Sequence, residues 1–268
     1  MFSRKLSKFT AAALFSLSAS FAVQSANATI VQFQTVMGDF SVNLYDKATP
    51  KTVENFLAYV KAGTYSNSII HRSVPGFIVQ GGGYKYESKP PLVAVTQNAA
   101  VINEPVYSNK RGTIAMAKLG DQPNSATNQW FFNLADNSAI LDPQNSGFTV
   151  FGEVTGNGMA ILDAMAAVSI FNAGSSFNEL PLRNYTTTDA TNGVAITDKQ
   201  LVMILGVVVL DANVDSAANL TPIKTTYTPS TGNGGGGSSN NSGGGGGSMG
   251  WASLLMLLAL LGFSRSRR

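Results

Sequence analysis

The chain of 268 residues contains no cysteine and a single histidine, which excludes disulfide bonds, thiolate nucleophiles and metal sites rich in Cys or His. Its formal net charge of +3 arises at the two ends, because six of the 18 basic residues lie within the first ten or the last four positions. The rest is slightly acidic and has no basic cluster interleaved with aromatic residues, so we do not predict a nucleic-acid partner. A calcium site of carboxylates and carbonyls stays open, but the sequence has no Asp-rich loop of EF-hand spacing, and we predict no cofactor.

Residues 1–28 have the features of a secretory signal peptide. The basic start MFSRKLSKF precedes a run of apolar and small residues from Thr10 to Val23, and the small-x-small sequence Ala26-Asn27-Ala28 follows. A retained membrane helix is the alternative, but the run is short and rich in Ser and Ala. We therefore predict cleavage after Ala28 and export of the protein.

The folded domain is predicted to span residues 29–212 and to begin with a hairpin and a helix. Ile30 to Thr35 and Phe40 to Tyr45 alternate apolar and polar residues around a turn at Met37-Gly38-Asp39, which predicts a β-hairpin. Thr49 is a good N-cap for a helix that Gly63 ends. The apolar residues predicted on one face of this helix are Val53, Phe56, Leu57 and Val60.

The segment from His71 to Gly82, HRSVPGFIVQGG, carries an Arg, bulky apolar residues and a Gln on a predicted strand that Pro75-Gly76 interrupts. Strand alternation places Ile78 and Gln80 on one face, with Phe77 on the other unless the Pro-Gly kink rotates it. The glycines that end the segment predict either a sharp turn or something packed close to the backbone.

The remaining domain is predicted to contain short strands and one further helix. The strands are predicted at Gly112–Ala117, Gln129–Phe132, Thr149–Val154 and Leu201–Leu210, and the helix at Met159–Val168. Alternation places Ala115 and Ala117 together on one face, and Gln129 and Phe131 together on the face opposite Trp130. Many short strands with two modest helices predict a mainly β barrel whose ends the helices cover.

Two long loops and a flexible linker are predicted around these elements. Residues 84–110 are loop-rich, and residues 172–198 are interpreted as a packed surface loop rather than a second active site. Residues 213–248 are dominated by Ala, Asn, Ser, Thr and Gly, so they offer too little apolar surface to offset the entropy of ordering.

Residues 249–268 combine the uncharged run MGWASLLMLLALLGF with a terminal Arg cluster. At about 1.5 Å per residue the run spans roughly 22 Å of a hydrocarbon core of about 30 Å, which is marginal for a permanent span. Together with the preceding glycines, from about residue 243, it resembles the bacterial Gly-Gly sorting signals. That resemblance implies a transient anchor, cut by a rhomboid-type intramembrane protease. A plain membrane anchor with the Arg cluster in the cytoplasm is the alternative.

Several motifs of the domain, in this order and at these separations, resemble the cyclophilin peptidyl-prolyl isomerase family, and its bacterial exported branch most of all. The matching motifs are His71-Arg72, Pro75-Gly76-Phe77, Gln80-Gly81-Gly82, Gly112-Thr113-Ile114-Ala115-Met116-Ala117, Gln129 with Phe131, and Val150-Phe151-Gly152.

The resemblance implies a closed eight-stranded antiparallel barrel capped by two helices, with a substrate groove on its outside. It implies that Arg72 is catalytic. The residues that it implies line the proline pocket are Phe77, Ile78, Phe131, Ile140 and Leu141. Those that it implies contact the neighbouring peptide are Gln80, Ala117, Lys118 and Gln129.

The sequence departs from the family pattern at three pocket positions. Ile78 stands where many members have Met, Ile140 where eukaryotic members have Trp, and Phe148 where a His lies at the pocket edge. Loss of the indole donor predicts weak binding of cyclosporin-type inhibitors.

The sequence predicts an exported monomer that accelerates rotation about X-Pro bonds in proline-containing polypeptides. The alternative is a non-catalytic module or chaperone that holds such segments in the same groove. A hydrolase that uses His71 lacks a nucleophile elbow and a second histidine. The predicted location is the periplasm or the inner membrane, or the cell surface or medium after removal of the tail.

Overall fold

In a computed structural model of the protein, the structure describes residues 29–212 and 220–228. The strands are β1 (Ile30–Thr35), β2 (Phe40–Leu44), β3 (Ser68–Ile69), β4 (Arg72–Val74), β5 (Ile78–Gly81), β6 (Tyr84–Lys85), β7 (Val93–Ala94), β8 (Thr113–Met116), β9 (Trp130–Asn133), β10 (Val150–Thr155), β11 (Ile170–Phe171), β12 (Leu180–Pro181) and β13 (Met203–Asp211). The helices are α1 (Pro50–Lys61), α2 (Ser138–Leu141), α3 (Gly158–Ala166) and α4 (Thr187–Thr191), with a 3-10 turn at Gln144–Ser146.

The predicted signal peptide (1–28) and tail (249–268) lie outside the described residues. Within the described ranges, no helix combines the length and the apolar character that a membrane crossing requires.

The main sheet is antiparallel and curls back on itself, in the order β4-β5-β9-β8-β10-β2-β1-β13-β3-β6-β7. The sheet closes through one bent segment that contains β3 and β4. Ile69 of β3 pairs with Met203 of β13, while Arg72 of β4 pairs with Gln80 of β5. When β3 and β4 are counted as one bent strand, the described ring has eight strands, with β6 and β7 as an extension. The predicted mainly β fold is confirmed.

The inside of the ring is filled by alternate residues of its strands. Phe33 of β1 packs edge-on against Trp130 of β9 with ring centroids 5.1 Å apart, and both side chains are fully buried. The two predicted helices are present as α1 and α3, and α1 buries Val53, Phe56 and Val60 against this core. The alternation and the helical periodicity in the sequence therefore determine which residues form the core.

The N-terminus of α1 is bound by a carboxylate from a distant loop. Thr49 occupies the predicted N-cap position, but its hydroxyl donates to the carbonyl of Tyr45 at 3.3 Å instead of capping the helix. The carboxylate of Glu104 accepts hydrogen bonds from the backbone amide of Thr52 at 2.9 Å and from its hydroxyl at 2.7 Å. Glu104 thus satisfies first-turn donors and fixes the loop that carries it.

Residues 220–228, which we call the C-terminal strap, depart from the predicted linker behaviour because they bond to the domain. The amide of Ser108 donates to the carbonyl of Ile223 at 2.8 Å, and the hydroxyl of Thr225 donates to the carboxylate of Asp142 at 3.1 Å. The strap sequence LTPIKTTYT contains no glycine, unlike the later part of the predicted linker. Averaging composition over residues 213–248 hides this local difference.

We expect a domain that ends at residue 228 to be more stable than one that ends at residue 212, by about 1–3 kcal/mol, since each strap hydrogen bond contributes about 1 kcal/mol. Urea unfolding of the two proteins measures this difference. Thr225→Val removes the hydroxyl that bonds Asp142 and should cost about 1 kcal/mol, whereas Thr226→Val, at an exposed neighbour, should have little effect. Equal stability of the two lengths would contradict a packed strap.

Candidate active site

A row of directly paired residues crosses five strands and defines the outer face of the barrel where the predicted site lies. Arg72 pairs with Gln80, Gln80 with Phe131, Phe131 with Ala115, and Ala115 with Val150. Residues opposite one another in a sheet project to the same face. The register therefore places the guanidinium, the amide and the aromatic ring side by side outside the core.

The Pro75-Gly76 pair rotates Phe77 onto this outer face. Gly76 has a φ of +74°, and the amide of Phe77 closes a turn by donating to the carbonyl of Val74 at 2.9 Å. Phe77 packs against the same cluster as Ile78, while Val79 belongs to the core inside the ring. The Pro-Gly kink therefore rotates Phe77 onto the same face as Ile78, and the alternation of faces along a strand does not hold for Phe77.

The apolar part of the site is formed by seven buried side chains, which we call the groove cluster. Its members are Tyr45, Ile78, Ala115, Phe131, Leu141, Phe148 and Val150. Phe77 and Ala117 are partly buried against it, and the rings of Phe131 and Phe148 meet edge-on at 5.7 Å. Ile140, although predicted to line the pocket, is 56 % exposed. Its neighbour Leu141 supplies the buried surface at this point.

A chain of polar contacts borders the groove cluster. Arg72 Nη1 donates to Gln80 Oε1 at 3.4 Å, and Gln80 Nε2 donates to Gln129 Oε1 at 2.9 Å. Arg72 Nε donates to Glu179 Oε2 at 2.7 Å. The remaining nitrogen, Nη2, is buried and has no hydrogen-bond partner among the described residues. The structure thus brings the predicted Arg72, Gln80 and Gln129 together and adds Glu179, which sequence reasoning missed.

Glu179 is the only acidic residue between Asp163 and Asp189 in the sequence. This isolation is the one sequence feature that could have identified it as a candidate site residue. It lies on the excursion predicted as a packed surface loop. Part of that loop does pack, because Phe177 contacts Tyr84 edge-on with ring centroids 4.7 Å apart. The excursion therefore contributes to the predicted site itself.

The glycines after Gln80 allow side chains to pack directly on the backbone. A Cβ on Gly81 would lie 2.6 Å from the ring of Trp130, and one on Gly83 would lie 2.8 Å from the amide of Gln129. Both alternatives left open by the sequence hold, because the chain bends at Gly82, whose φ is +81°, and side chains of the protein itself approach the backbone closely.

His71 is fully enclosed and takes no direct part in this surface. Burial, with a smaller contribution from the charge of Arg72, lowers the pKa of His71 from 6.5 to about 3, and nearby groups of Gln129 and Ile69 only partly oppose this. Neither ring nitrogen makes a hydrogen bond of normal geometry with a described residue, while the ring packs edge-on against Tyr84 at 5.2 Å. The imidazole is therefore neutral at physiological pH.

Lys118 binds the loop beside the groove. Its Nζ donates to the carbonyls of Asn145 and Gly147 and lies 4.9 Å from the ring centroid of Phe148. Burial lowers the pKa of Lys118 to about 8. The ammonium thus holds the loop that carries Phe148, and its predicted role in contacting the peptide stays a prediction.

We expect Lys118→Met to weaken binding of a short X-Pro peptide by about 3- to 10-fold, because charge-assisted hydrogen bonds of roughly 1–2 kcal/mol that hold the Phe148 loop are lost. Since the pKa of Lys118 is about 8, the affinity of the unaltered protein should also fall between pH 7 and pH 9, as the ammonium loses its proton. Calorimetric titration at both pH values measures this. The same pH dependence in the variant would contradict the role of Lys118.

Comparison with known proteins identifies relatives of most of the domain. Residues 30–191, more than half of the chain, match the family described as "Cyclophilin type peptidyl-prolyl cis-trans isomerase/CLD". The chain is 37 % identical over 151 residues to the peptidyl-prolyl cis-trans isomerase of Acinetobacter baylyi, an alignment that covers 56 % of this chain and 78 % of that protein. It is 38 % identical over 172 residues to peptidyl-prolyl cis-trans isomerase A of Dickeya dadantii, covering 62 % of this chain and 84 % of that protein.

Among solved structures, a cyclophilin-type peptidyl-prolyl cis-trans isomerase of Cryptosporidium parvum aligns with a TM-score of 0.49 at 21 % identity. The alignment covers 69 % of this chain and 98 % of that one.

Proposed function

This chain belongs to the cyclophilin-type peptidyl-prolyl cis-trans isomerase family, and from that premise we propose that Arg72 catalyses rotation about the X-Pro bonds of exported proteins. The chain is a peptidyl-prolyl cis-trans isomerase, as its relatives at 36–39 % identity are. The observation that supports Arg72 is its place in the paired row beside Gln80 and Phe131.

Rotation about an X-Pro bond is slow because amide resonance must be broken. The barrier is about 20 kcal/mol. When the proline ring is perpendicular to the carbonyl, the prolyl nitrogen regains a lone pair that the planar amide does not offer. A guanidinium N–H directed at that nitrogen donates a charged hydrogen bond only in the twisted state, so it stabilises the transition state selectively.

The residues around Arg72 suit this chemistry. In this proposal the proline ring packs against the partly buried Phe77, which lies over Ile78 and Phe131 of the groove cluster. Gln80 and Gln129 place amide groups next to it for the flanking peptide backbone. Arg72 and Gln80 lie on strands and Gln129 directly precedes β9, so little reorganisation of these donors is required during the reaction.

The required stabilisation is modest. Raising a rate from about 0.01 per second to about 10 per second is a thousandfold change, or roughly 4 kcal/mol. A charge-assisted hydrogen bond contributes about 1.5–3 kcal/mol. One positioned arginine, together with preferential binding of the twisted proline, therefore suffices.

The experiment for this proposal follows isomerisation of a short X-Pro peptide catalysed by the full-length chain. We expect acceleration that an unlabelled X-Pro peptide competes away and that a peptide with Ala in place of Pro does not. Asp163→Asn, at an exposed ion pair outside the site, is the control and should match the unaltered protein. If the folded protein gave no acceleration but still bound the peptide, the groove would be a binding module instead.

We also propose that the protein works in the periplasm or at the cell envelope. The support comes from the sequence of residues 1–28 and from the hydrophobic run and Arg cluster of residues 249–268. Fractionation of cells that produce the full chain, with mass measurement of the product, tests both ends. An N-terminus at Thr29 supports export. A product that lacks the tail supports a sorting signal, whereas a full-length tail in the inner membrane supports a plain anchor.

A further inference from the structure

We propose that Glu179 is a positioning residue that sets the orientation of the Arg72 guanidinium in the groove. This inference rests on the proposed catalytic role of Arg72 and adds to it a carboxylate from the excursion between α3 and β13. Glu179 acts through Arg72 and not on the substrate.

The backbone around Glu179 is fixed next to β4. The amide of Ser73 donates to the carbonyl of Glu179 at 2.9 Å, so the residue after Arg72 is bonded to the main chain of Glu179 itself. Leu180 follows directly, is 1 % exposed and belongs to β12, which pairs with β11. On the other side, Phe177 is held against Tyr84. The carboxylate is therefore attached to a segment anchored on both sides.

The contact with Arg72 determines how the guanidinium can point. Glu179 Oε2 accepts from Nε at 2.7 Å, and Gln80 Oε1 accepts from Nη1 at the longer distance of 3.4 Å. Because the guanidinium is planar and its donors have a fixed fork geometry, engaging Nε fixes the plane in which Nη1 and Nη2 lie. The charged partner also offsets the cost of holding an arginine side chain that is only 12 % exposed.

The loss of this contact has a specific consequence. Without the carboxylate, Gln80 alone restrains the guanidinium through a long and weak hydrogen bond, so the arginine samples other orientations. Ground-state contacts of the peptide with the groove cluster remain. We therefore expect the change in kcat and not in KM, since the interaction that weakens is made only in the transition state.

The test measures kcat and KM of the full-length chain for an X-Pro peptide. Glu179→Ala should lower kcat by about 10-fold with little change in KM, a loss typical of one charged hydrogen bond. Glu179→Gln, which keeps an acceptor oxygen at the same position, should lose no more than about threefold. Asp163→Ala removes the carboxylate of the exposed pair with Arg111 and serves as the matched control, with unchanged kinetics.

The double variant Arg72→Ala/Glu179→Ala distinguishes positioning from other roles. If Glu179 acts through Arg72, adding Glu179→Ala to Arg72→Ala should cause no further loss of kcat. The inference is overturned if Glu179→Ala leaves kcat unchanged, if its effect is confined to KM, or if it is equally large without Arg72. Failure of Arg72→Ala to slow the reaction would instead overturn the proposed function, so the two failures are distinguishable.

Discussion

Replacement of Arg72 by alanine is expected to lower kcat/KM for a short X-Pro peptide by about 100-fold, because the charged hydrogen bond to the twisted amide is lost. We expect the residual acceleration to come from the groove cluster, which in this proposal still contacts the proline ring. Arg72→Lys keeps the charge but has no Nε to bond Glu179 and no planar fork, so we expect it to lose at least about 10-fold.

Progress curves of peptide isomerisation measure this, with thermal unfolding of each variant as the check on folding. Because Arg72 is partly exposed and lies outside the main core, its removal should leave the fold intact. Unchanged activity in a folded Arg72→Ala protein would show that the groove catalyses by geometry alone.

Acidification from pH 6.5 to pH 5 is expected to lower the free energy of unfolding by about 2 kcal/mol through His71 alone. The unfolded chain takes up a proton as the pH falls below about 6.5, whereas burial holds the pKa of His71 in the folded protein near 3. Between these values the unfolded state binds more protons. Each pH unit therefore favours unfolding by up to about 1.4 kcal/mol, and stability is lost as the pH falls.

His71→Phe keeps a ring against Tyr84 without a titrating group and is the control. Subtracting its pH dependence from that of the unaltered protein in urea unfolding isolates His71 from the carboxylates. As His71 is the only histidine, its imidazole resonance can also be followed directly by NMR. A titration midpoint near 6.5 in the folded protein, or equal pH dependence in the two proteins, would rule out the buried neutral imidazole.

The regular parts of the fold could be predicted because they depend on local periodicity. Alternation places Trp130 and Phe131 on opposite faces of the strand, and the structure confirms this, with Trp130 in the core and Phe131 in the groove cluster. The sequence indicates that the Pro75-Gly76 kink can rotate Phe77, but it does not predict whether the rotation occurs. The surrounding sheet determines the direction in which the chain leaves the turn. The structure shows that Phe77 is rotated outward.

Contacts between segments far apart in sequence could not be predicted. Glu179 reaches Arg72 across 107 positions, and Glu104 reaches the first turn of α1 across 52. No local pattern encodes such a pairing, because it depends on how loops of irregular structure cross the barrel. The strap was not predicted for another reason. The composition averaged over residues 213–248 is polar, and it conceals nine residues whose side chains can pack against the domain.

The resemblance to the family named most of the residues that the structure brings together on this face, and it was weakest where the sequence departs from the family pattern. Ile140 is largely exposed, so Leu141 carries the packing that the pocket wall requires. Lys118 contacts the loop beside Phe148 through its ammonium. Ile140 and Phe148 are the positions here at which the side chain differs in kind from the family pattern, and packing by Leu141 and contact with Lys118 accommodate them.

The most direct test of the proposed catalytic role of Arg72 separates peptide binding from catalysis. NMR exchange between the cis and trans forms of an X-Pro peptide at saturating protein gives the interconversion rate of the bound peptide, and a titration gives its affinity. For Arg72→Ala we expect the bound rate to fall by about 100-fold while the affinity stays within about threefold. A loss of affinity with an unchanged bound rate would contradict it, because Arg72 would then hold the peptide and not its transition state.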